Sequence, residues 1–165
     1  MTLADISDVA INIAKNKFDN LGLTLDTMQI VLPNNKLPIA DNSLDVVYSR
    51  LALHYFLPAD TTNIFNEIYR VLKPQGRAYV CVKSPQDEKE MAFLKSTAKK
   101  LEDNVFLDSG DIKSRYGQEQ WQQILRSTGF QQPIIKNYTE SLANRQDVTK
   151  SGNLDFTLTE IDLQK

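Results

Sequence analysis

The sequence predicts an α/β fold with a mostly parallel sheet and an antiparallel edge strand near its C-terminus. Strand-like and helix-like hydrophobic periodicities alternate along the chain. The near-continuous apolar run Ala78–Val82 is typical of a parallel strand that is covered on both faces. Two strand-like segments then follow one another at the end, which indicates an antiparallel pair. The 165 residues are predicted to form a single domain, residues 1–165, because two domains would each bury too small a core.

The predicted strands are short, β-branched or alternating segments between turn residues. In chain order they are Met28–Leu32, Leu44–Tyr48, Arg77–Val82, Pro133–Glu140 and Leu154–Leu163. The polar stretch Ser141–Gly152 is predicted to be a loop, and Glu102–Gly117 to be a looser, polar stretch without regular structure. A turn at Pro74–Gly76 is expected to separate a helix from the strand that follows it.

Four helices are predicted from apolar residues at spacings of three and four. Ser7 is expected to cap the first, with an apolar face formed by Val9, Ala10, Ile13 and Ala14. Asp60 or Thr61 opens the second helix, and Asp87 leads into the third. The fourth carries Trp121, Ile124 and Leu125, and Gly129 stands where a helix C′ glycine belongs.

Composition excludes several classes of function. A net charge of −2 with scattered Lys and Arg argues against nucleic-acid binding. No apolar run reaches the roughly 20 residues that a membrane span needs. One cysteine, Cys81, and one histidine, His54, cannot form a Cys/His metal site. No metal ligand is assigned, and carboxylate-bound magnesium stays open. Met1–Asp8 does not resemble a signal peptide, so a cytoplasmic protein is expected.

Motifs spread over most of the chain resemble one enzyme family. The run Leu37–Arg50 is similar to the loop and fourth strand of small-molecule class I methyltransferases, and Leu51–Tyr55 to the segment after it. Ile68–Arg77 resembles the family's "E-x-x-R-V-L-K-P-G-G", with Gln75 in place of the first glycine. Near the ends, Tyr116–Phe130 is similar to the last helix, and Leu3–Ser7 to the close of strand two.

The resemblance is to the Rossmann-like, type 11 methyltransferases that use S-adenosylmethionine. It implies methyl transfer to a small molecule by in-line displacement, in which positioning matters most. The family's first strand, glycine-rich turn and first helix are missing from this sequence. No two of its six glycines are separated by a single residue. The resemblance therefore predicts an N-terminally truncated form of the fold.

Loss of a central strand would expose two strand edges. Three outcomes stay open: Met28–Leu32 pairs with Leu44–Tyr48, two chains pair through exposed edges as a homodimer, or the natural protein is longer. Two functions also stay open. One is a methyltransferase acting on an unidentified small molecule. The other is a non-catalytic remnant of the fold that serves as a binding or dimerisation module.

The resemblance assigns three residues to the adenosine portion of the cofactor. Asp5 matches the acidic residue that accepts hydrogen bonds from the ribose hydroxyls, and the alternative is a carboxylate that stabilises a helix start. Ile6 matches an apolar side chain against adenine, and the alternative is core packing. Asn34 stands near a usually acidic position, where its amide carbonyl would accept a hydrogen bond from adenine.

Three further candidates lie at or after the end of a central strand. Ser49 and Arg50 are expected near the cofactor, because ligands of open α/β sheets collect at the carboxyl ends of strands. Arg50 would bind an acidic group or be solvated. His54 is the one histidine available as a general base, and the alternative is a packed core residue.

Overall fold

The computed structural model describes residues 1–33, 36–141 and 155–165. The chain divides into two compact units, Met1–Pro38 and Ile39–Lys165. The expectation of one domain stays a prediction. Among the described residues, no helix is long and apolar enough to cross a membrane.

The first unit is a β-α-β segment. Its elements are β1 (Thr2–Asp5), α1 (Asp8–Asn20) and β2 (Asp26–Gln29), and the two strands pair in parallel. The predicted cap is confirmed, because the Ser7 side chain accepts a hydrogen bond from the Ala10 amide at 3.2 Å. The predicted apolar face is wrong, since Val9 and Ile13 are 62% and 52% exposed and Ile11 is buried. Two four-residue strands cover only a narrow stripe of the helix.

The second unit is built on a four-stranded sheet. Its strands are β3 (Leu44–Arg50), β4 (Leu72–Lys83), β8 (Gln131–Ser141) and β9 (Asp155–Gln164), in the order β3-β4-β9-β8. β3 and β4 are parallel, and β9 is antiparallel to both β4 and β8. Three strands therefore run one way and one runs against them.

The expected antiparallel edge strand is wrong in its position. The antiparallel strand β9 lies inside the sheet, and β8 forms the edge. Burial explains the order. Leu158, Ile161 and Leu163 of β9 are at most 1% exposed, whereas most residues of β8 are exposed. The more apolar strand takes the inner position, where its side chains leave water.

Two helices form the core with one face of this sheet. They are α2 (Pro58–Val71) and α4 (Gln118–Arg126), which pack against each other. Phe65 and Val71 of α2 and Trp121 of α4 are at most 1% exposed. The predicted turn at Pro74–Gly76 lies within β4, which begins directly after α2. Gly76 is needed there, since a Cβ would stand 2.8 Å from the Lys73 carbonyl oxygen.

The stretch Glu102–Gly117, expected to be irregular, belongs for the most part to a small antiparallel sheet. Its strands are β5 (Lys99–Glu102), β6 (Val105–Asp108) and β7 (Asp111–Ser114). The preceding helix α3 (Glu88–Thr97) packs on this sheet, with Met91 and Leu94 against Phe106. Four-residue strands with many charged side chains give no clear alternating pattern. For this reason the sequence analysis did not predict them.

Among the described residues, β2 pairs with β1. Over the same residues β3 pairs only with β4, which leaves its other edge without a strand. The predicted loop Ser141–Gly152 lies outside the described residues beyond Ser141.

Candidate functional site

The carboxyl end of β1 places a carboxylate beside an uncovered apolar side chain. Asp5 is partly buried, and its Oδ1 accepts a hydrogen bond from the Ser7 amide at 2.8 Å. Ile6 follows it and is 62% exposed, so the alternative of core packing for Ile6 does not hold. The Ile6 carbonyl accepts a bond from the Gln29 side chain at 2.9 Å, which fixes this turn to β2. Asn34 lies outside the described residues.

Asp5 has two roles that do not compete. Its Oδ1 holds the chain where α1 begins, as the helix-start interpretation expects. An ionised carboxylate has about four acceptor positions on two oxygens. The carboxylate therefore keeps acceptor capacity for hydroxyl groups of a ligand. An exposed apolar neighbour at Ile6 suits the face of a planar ring.

Ser49 and Arg50 end β3 beside the end of β4. In the parallel register Ser49 pairs with Val80 and Arg50 with Cys81. Arg50 is not simply solvated, because its guanidinium forms an ion pair with Glu140 of β8. The hydrogen bond with Glu140 raises the pKa of Arg50 above its ordinary value, although burial acts in the opposite direction. Arg50 thus already has an acidic partner within the protein.

His54 is a buried, neutral side chain. It is 2% exposed, and its ring lies 4.4 Å from that of Tyr55. Burial, followed by the charges of Arg115, Lys83 and Lys113, lowers the pKa of His54 to about 3. Its Nδ1 has no hydrogen-bond partner among the described residues. A group with so low a pKa is a weak base, so the structural interpretation of His54 is favoured over the catalytic one.

A buried ion-pair cluster surrounds the His54 backbone. Arg115 is 3% exposed and donates to Glu90 at 2.8 Å, and Lys83 lies 3.1 Å from the other oxygen of Glu90. Arg115 also reaches the His54 carbonyl at 3.4 Å, which accepts from the Ser114 amide at 3.0 Å. Burial alone would raise the pKa of Glu90, but its bond with Arg115 and the nearby positive charges hold the pKa below its ordinary value.

Sequence reasoning missed this cluster. Glu90 and Arg115 are 25 residues apart and lie on different elements, so no local spacing connects them. The cluster joins α3, the end of β7 and the loop after β3. On the outer side, the Lys113 ammonium lies 4.7 Å from the centre of the Tyr55 ring. Tyr55 is 41% exposed, so the loop that buries His54 presents an aromatic ring to solvent.

The first half of the chain matches the profile of a protein family. The profile of a family described as a methyltransferase domain matches residues 1–80, a span that includes β1 to β3 and most of β4. This part of the chain is similar to a methyltransferase domain. The resemblance carried by the motifs of this segment is therefore confirmed.

Curated methyltransferases match the chain at low identity. A ubiquinone/menaquinone biosynthesis C-methyltransferase of Rickettsia prowazekii is 28% identical over 152 residues, which cover 83% of this chain and 59% of that protein. O-methyltransferase 3 of Dictyostelium discoideum is 23% identical over 146 residues, which cover 86% of this chain and 33% of that protein. The chain thus spans only part of the length of these relatives.

Solved structures of methyltransferases share the fold. A SAM-dependent methyltransferase of Methanosarcina mazei superposes with a TM-score of 0.70 at 19% identity, covering 99% of this chain and 81% of that one. One from Archaeoglobus fulgidus gives a TM-score of 0.68 at 15% identity, covering 99% of this chain and 75% of that one. The Rossmann-like methyltransferase fold, with a mixed sheet, is therefore confirmed.

The residues present fit part of the family's cofactor. The carboxylate of Asp5 and the exposed Ile6 suit the ribose and adenine of S-adenosylmethionine.

Proposed function

We propose that this protein transfers a methyl group from S-adenosylmethionine to a small molecule. The single observation that carries the proposal is the family match over residues 1–80, which begins at the strand that ends in Asp5. When bound, the cofactor supplies a methyl group on a positively charged sulfur. The protein's part is to hold donor and acceptor in line.

We assign a role to each candidate residue. Asp5 accepts hydrogen bonds from the ribose hydroxyls, and Ile6 covers one face of the adenine. Asn34 accepts from the adenine amino group. Ser49, at the end of β3, stays a proposed contact of the cofactor, whereas Arg50, held by Glu140, orders the sheet at that end rather than binding substrate. His54 acts as a positioning residue for the loop after β3 and not as the general base.

The acceptor is proposed to lie against the loop after β3 and the small sheet. Tyr55 offers a partly exposed ring there, and Lys83 and Lys113 place positive charge nearby. The relatives do not agree on the acceptor atom, since one is named a C-methyltransferase of quinone biosynthesis and another an O-methyltransferase.

We place the reaction in the cytoplasm, because one buried cysteine, Cys81, requires no oxidising compartment.

The experiment is an assay of S-adenosylhomocysteine release. The chain is incubated with S-adenosylmethionine and either a water-soluble benzoquinol, as a carbon acceptor, or a catechol, as an oxygen acceptor. We expect release above the level without acceptor, together with a methylated product in mass spectrometry. Absence of product with both acceptors, from a chain that binds the cofactor, would contradict transfer to these two acceptor classes.

One observation favours a second function. Among the described residues, one edge of β3 carries no strand. A non-catalytic protein of this fold that binds a partner through this edge, and does not bind the cofactor, would have this feature. In that case the chain gives no heat with S-adenosylhomocysteine at millimolar concentration.

A further inference from the structure

The outer strand of the main sheet is long and open on one side. β8 has 11 residues, about twice the usual strand length, and its partner over Ile134–Ser141 is β9. No strand lies on its other side among the described residues. Such an edge is a template for pairing with another chain unless a proline, bulge or charge protects it.

Features that hinder the pairing of β8 with another strand occur only in its first residues. The register shifts between Gln131 and Ile134, Gln132 has a φ of 50°, and Pro133 has no amide hydrogen. After Pro133 the strand carries no further proline or bulge. Lys136 is the one positive charge that remains between Ile134 and Ser141.

Three alternate residues of β8 point to the same face of the sheet. Lys136 is exposed, and it lies opposite Glu160 of β9, with which it forms no ion pair among the described residues. Tyr138 is 38% exposed, with its hydroxyl 3.2 Å from the Cys81 sulfur. Glu140 is held by Arg50 and is still 29% exposed in its side chain. A positive charge, an aromatic ring and a negative charge thus follow one another along the open edge.

We infer that β8 pairs with β8 of a second copy, antiparallel and centred on Tyr138. This register places Lys136 opposite the partner's Glu140 on both sides of the two-fold axis, and Tyr138 opposite its own copy. A centre at Lys136 would set two ammonium groups against each other. With the two-fold axis at Asn137 or Thr139, no acidic residue of the second copy would lie opposite Lys136. Opposite charges and aromatic pairs across strands stabilise a sheet.

The other open edge does not offer this match. On β3 the carboxylate of Asp45 is bound by Lys73 at 2.8 Å, and Arg50 is bound by Glu140. Both charged residues of β3 therefore already have a partner of opposite charge within the chain. Charge complementarity selects β8 as the dimer edge, and this selection is independent of methyltransferase activity.

The dimer is expected to be weak. One strand pair with three side-chain contacts buries less than the roughly 1,200 Å² of a standard stable interface. We therefore expect a monomer–dimer equilibrium that shifts with protein concentration, and sedimentation velocity on the full chain measures it.

Charge reversal tests the register. Lys136→Glu sets like charges opposite each other, so the dissociation constant should rise tenfold or more, and Glu140→Lys should do the same. An equal mixture of the two variants restores both opposite-charge pairs and should dimerise as the native chain does. Lys89→Glu is the control, since this exposed residue lies in the first turn of α3, where negative charge is tolerated.

Thermal unfolding of each variant confirms that the chain is folded, because Glu140→Lys also removes the partner of Arg50. A native chain that stays monomeric over the whole range overturns the proposal. So does Lys136→Glu with an unchanged dissociation constant, or a mixture of the two variants that stays monomeric.

Discussion

At the scale of single residues, burial decides what a side chain can do chemically. His54 stands in a segment that would suit a general base, but the folded chain removes it from water and sets three positive charges around it. The neutral imidazole is then the stable form over the physiological range. The spacing of residues in the sequence located His54, whereas its role depended on Arg115 and Lys83, which are distant in the sequence.

His54 makes the stability of the protein depend on pH. Its pKa is about 3 in the folded chain and 6.5 ordinarily, so between these values the unfolded chain binds a proton that the folded chain does not. Stability is therefore lost as the pH falls through this window, by about 2 kcal/mol between pH 7.5 and pH 5. In His54→Gln this part of the pH dependence should be absent. Urea unfolding of both proteins at the two pH values measures it, and equal pH dependence would contradict the assignment.

Replacement of Gly129 by any residue with a side chain is expected to destabilise the protein. A Cβ there would stand 2.2 Å from the Tyr69 ring, although Gly129 was predicted only as a helix C′ glycine. Gly129→Ala should cost about 1–3 kcal/mol of unfolding free energy through overpacking. Gly117→Ala is the matched control, because its Cβ would meet nothing closer than 3.8 Å. Equal denaturation midpoints for the two variants would show that Tyr69 moves aside freely.

At the scale of elements, the sequence predicted the positions of strands and helices along the chain better than it predicted which strands pair with each other. Leu44–Tyr48 and Arg77–Val82 lie inside β3 and β4, because β-branched and apolar runs mark inner strands. The position of β9 inside the sheet depends on a competition between two strands for burial, which no single segment reveals. The small sheet was missed because its stability comes from α3 and the Arg115 cluster rather than from strand pattern.

The Arg115–Glu90 pair is expected to hold the small sheet to the rest of the second unit. Arg115→Met leaves Glu90 largely buried with Lys83 as its remaining partner, which should cost about 3 kcal/mol of unfolding free energy. Arg126→Met, at an exposed position of α4, should change it by less than about 0.5 kcal/mol. Chemical denaturation of both variants compares them. A loss no larger than that of Arg126→Met would mean that water replaces the pair at no cost.

At the scale of the whole molecule, the motifs predicted the family and its fold, since their order and spacing are set by the sheet that they build. The same motifs did not determine the acceptor, because acceptor pockets form from the least regular segments. Nor did they determine whether the chain associates. In our proposal, association depends on the charges of Lys136 and Glu140, and their place at the edge of the sheet follows from the strand order, which the motifs do not give.

The central claim is that Asp5 belongs to a working cofactor site, and calorimetric titration of S-adenosylhomocysteine into the full chain tests it most directly. We expect a dissociation constant tighter than about 100 μM, equivalent to roughly 5 kcal/mol. It should weaken at least tenfold in Asp5→Asn and stay unchanged in Asp26→Asn, which removes the same charge from an exposed residue of β2. No heat at millimolar ligand, or equal binding by Asp5→Asn, would contradict the claim and favour the non-catalytic alternative.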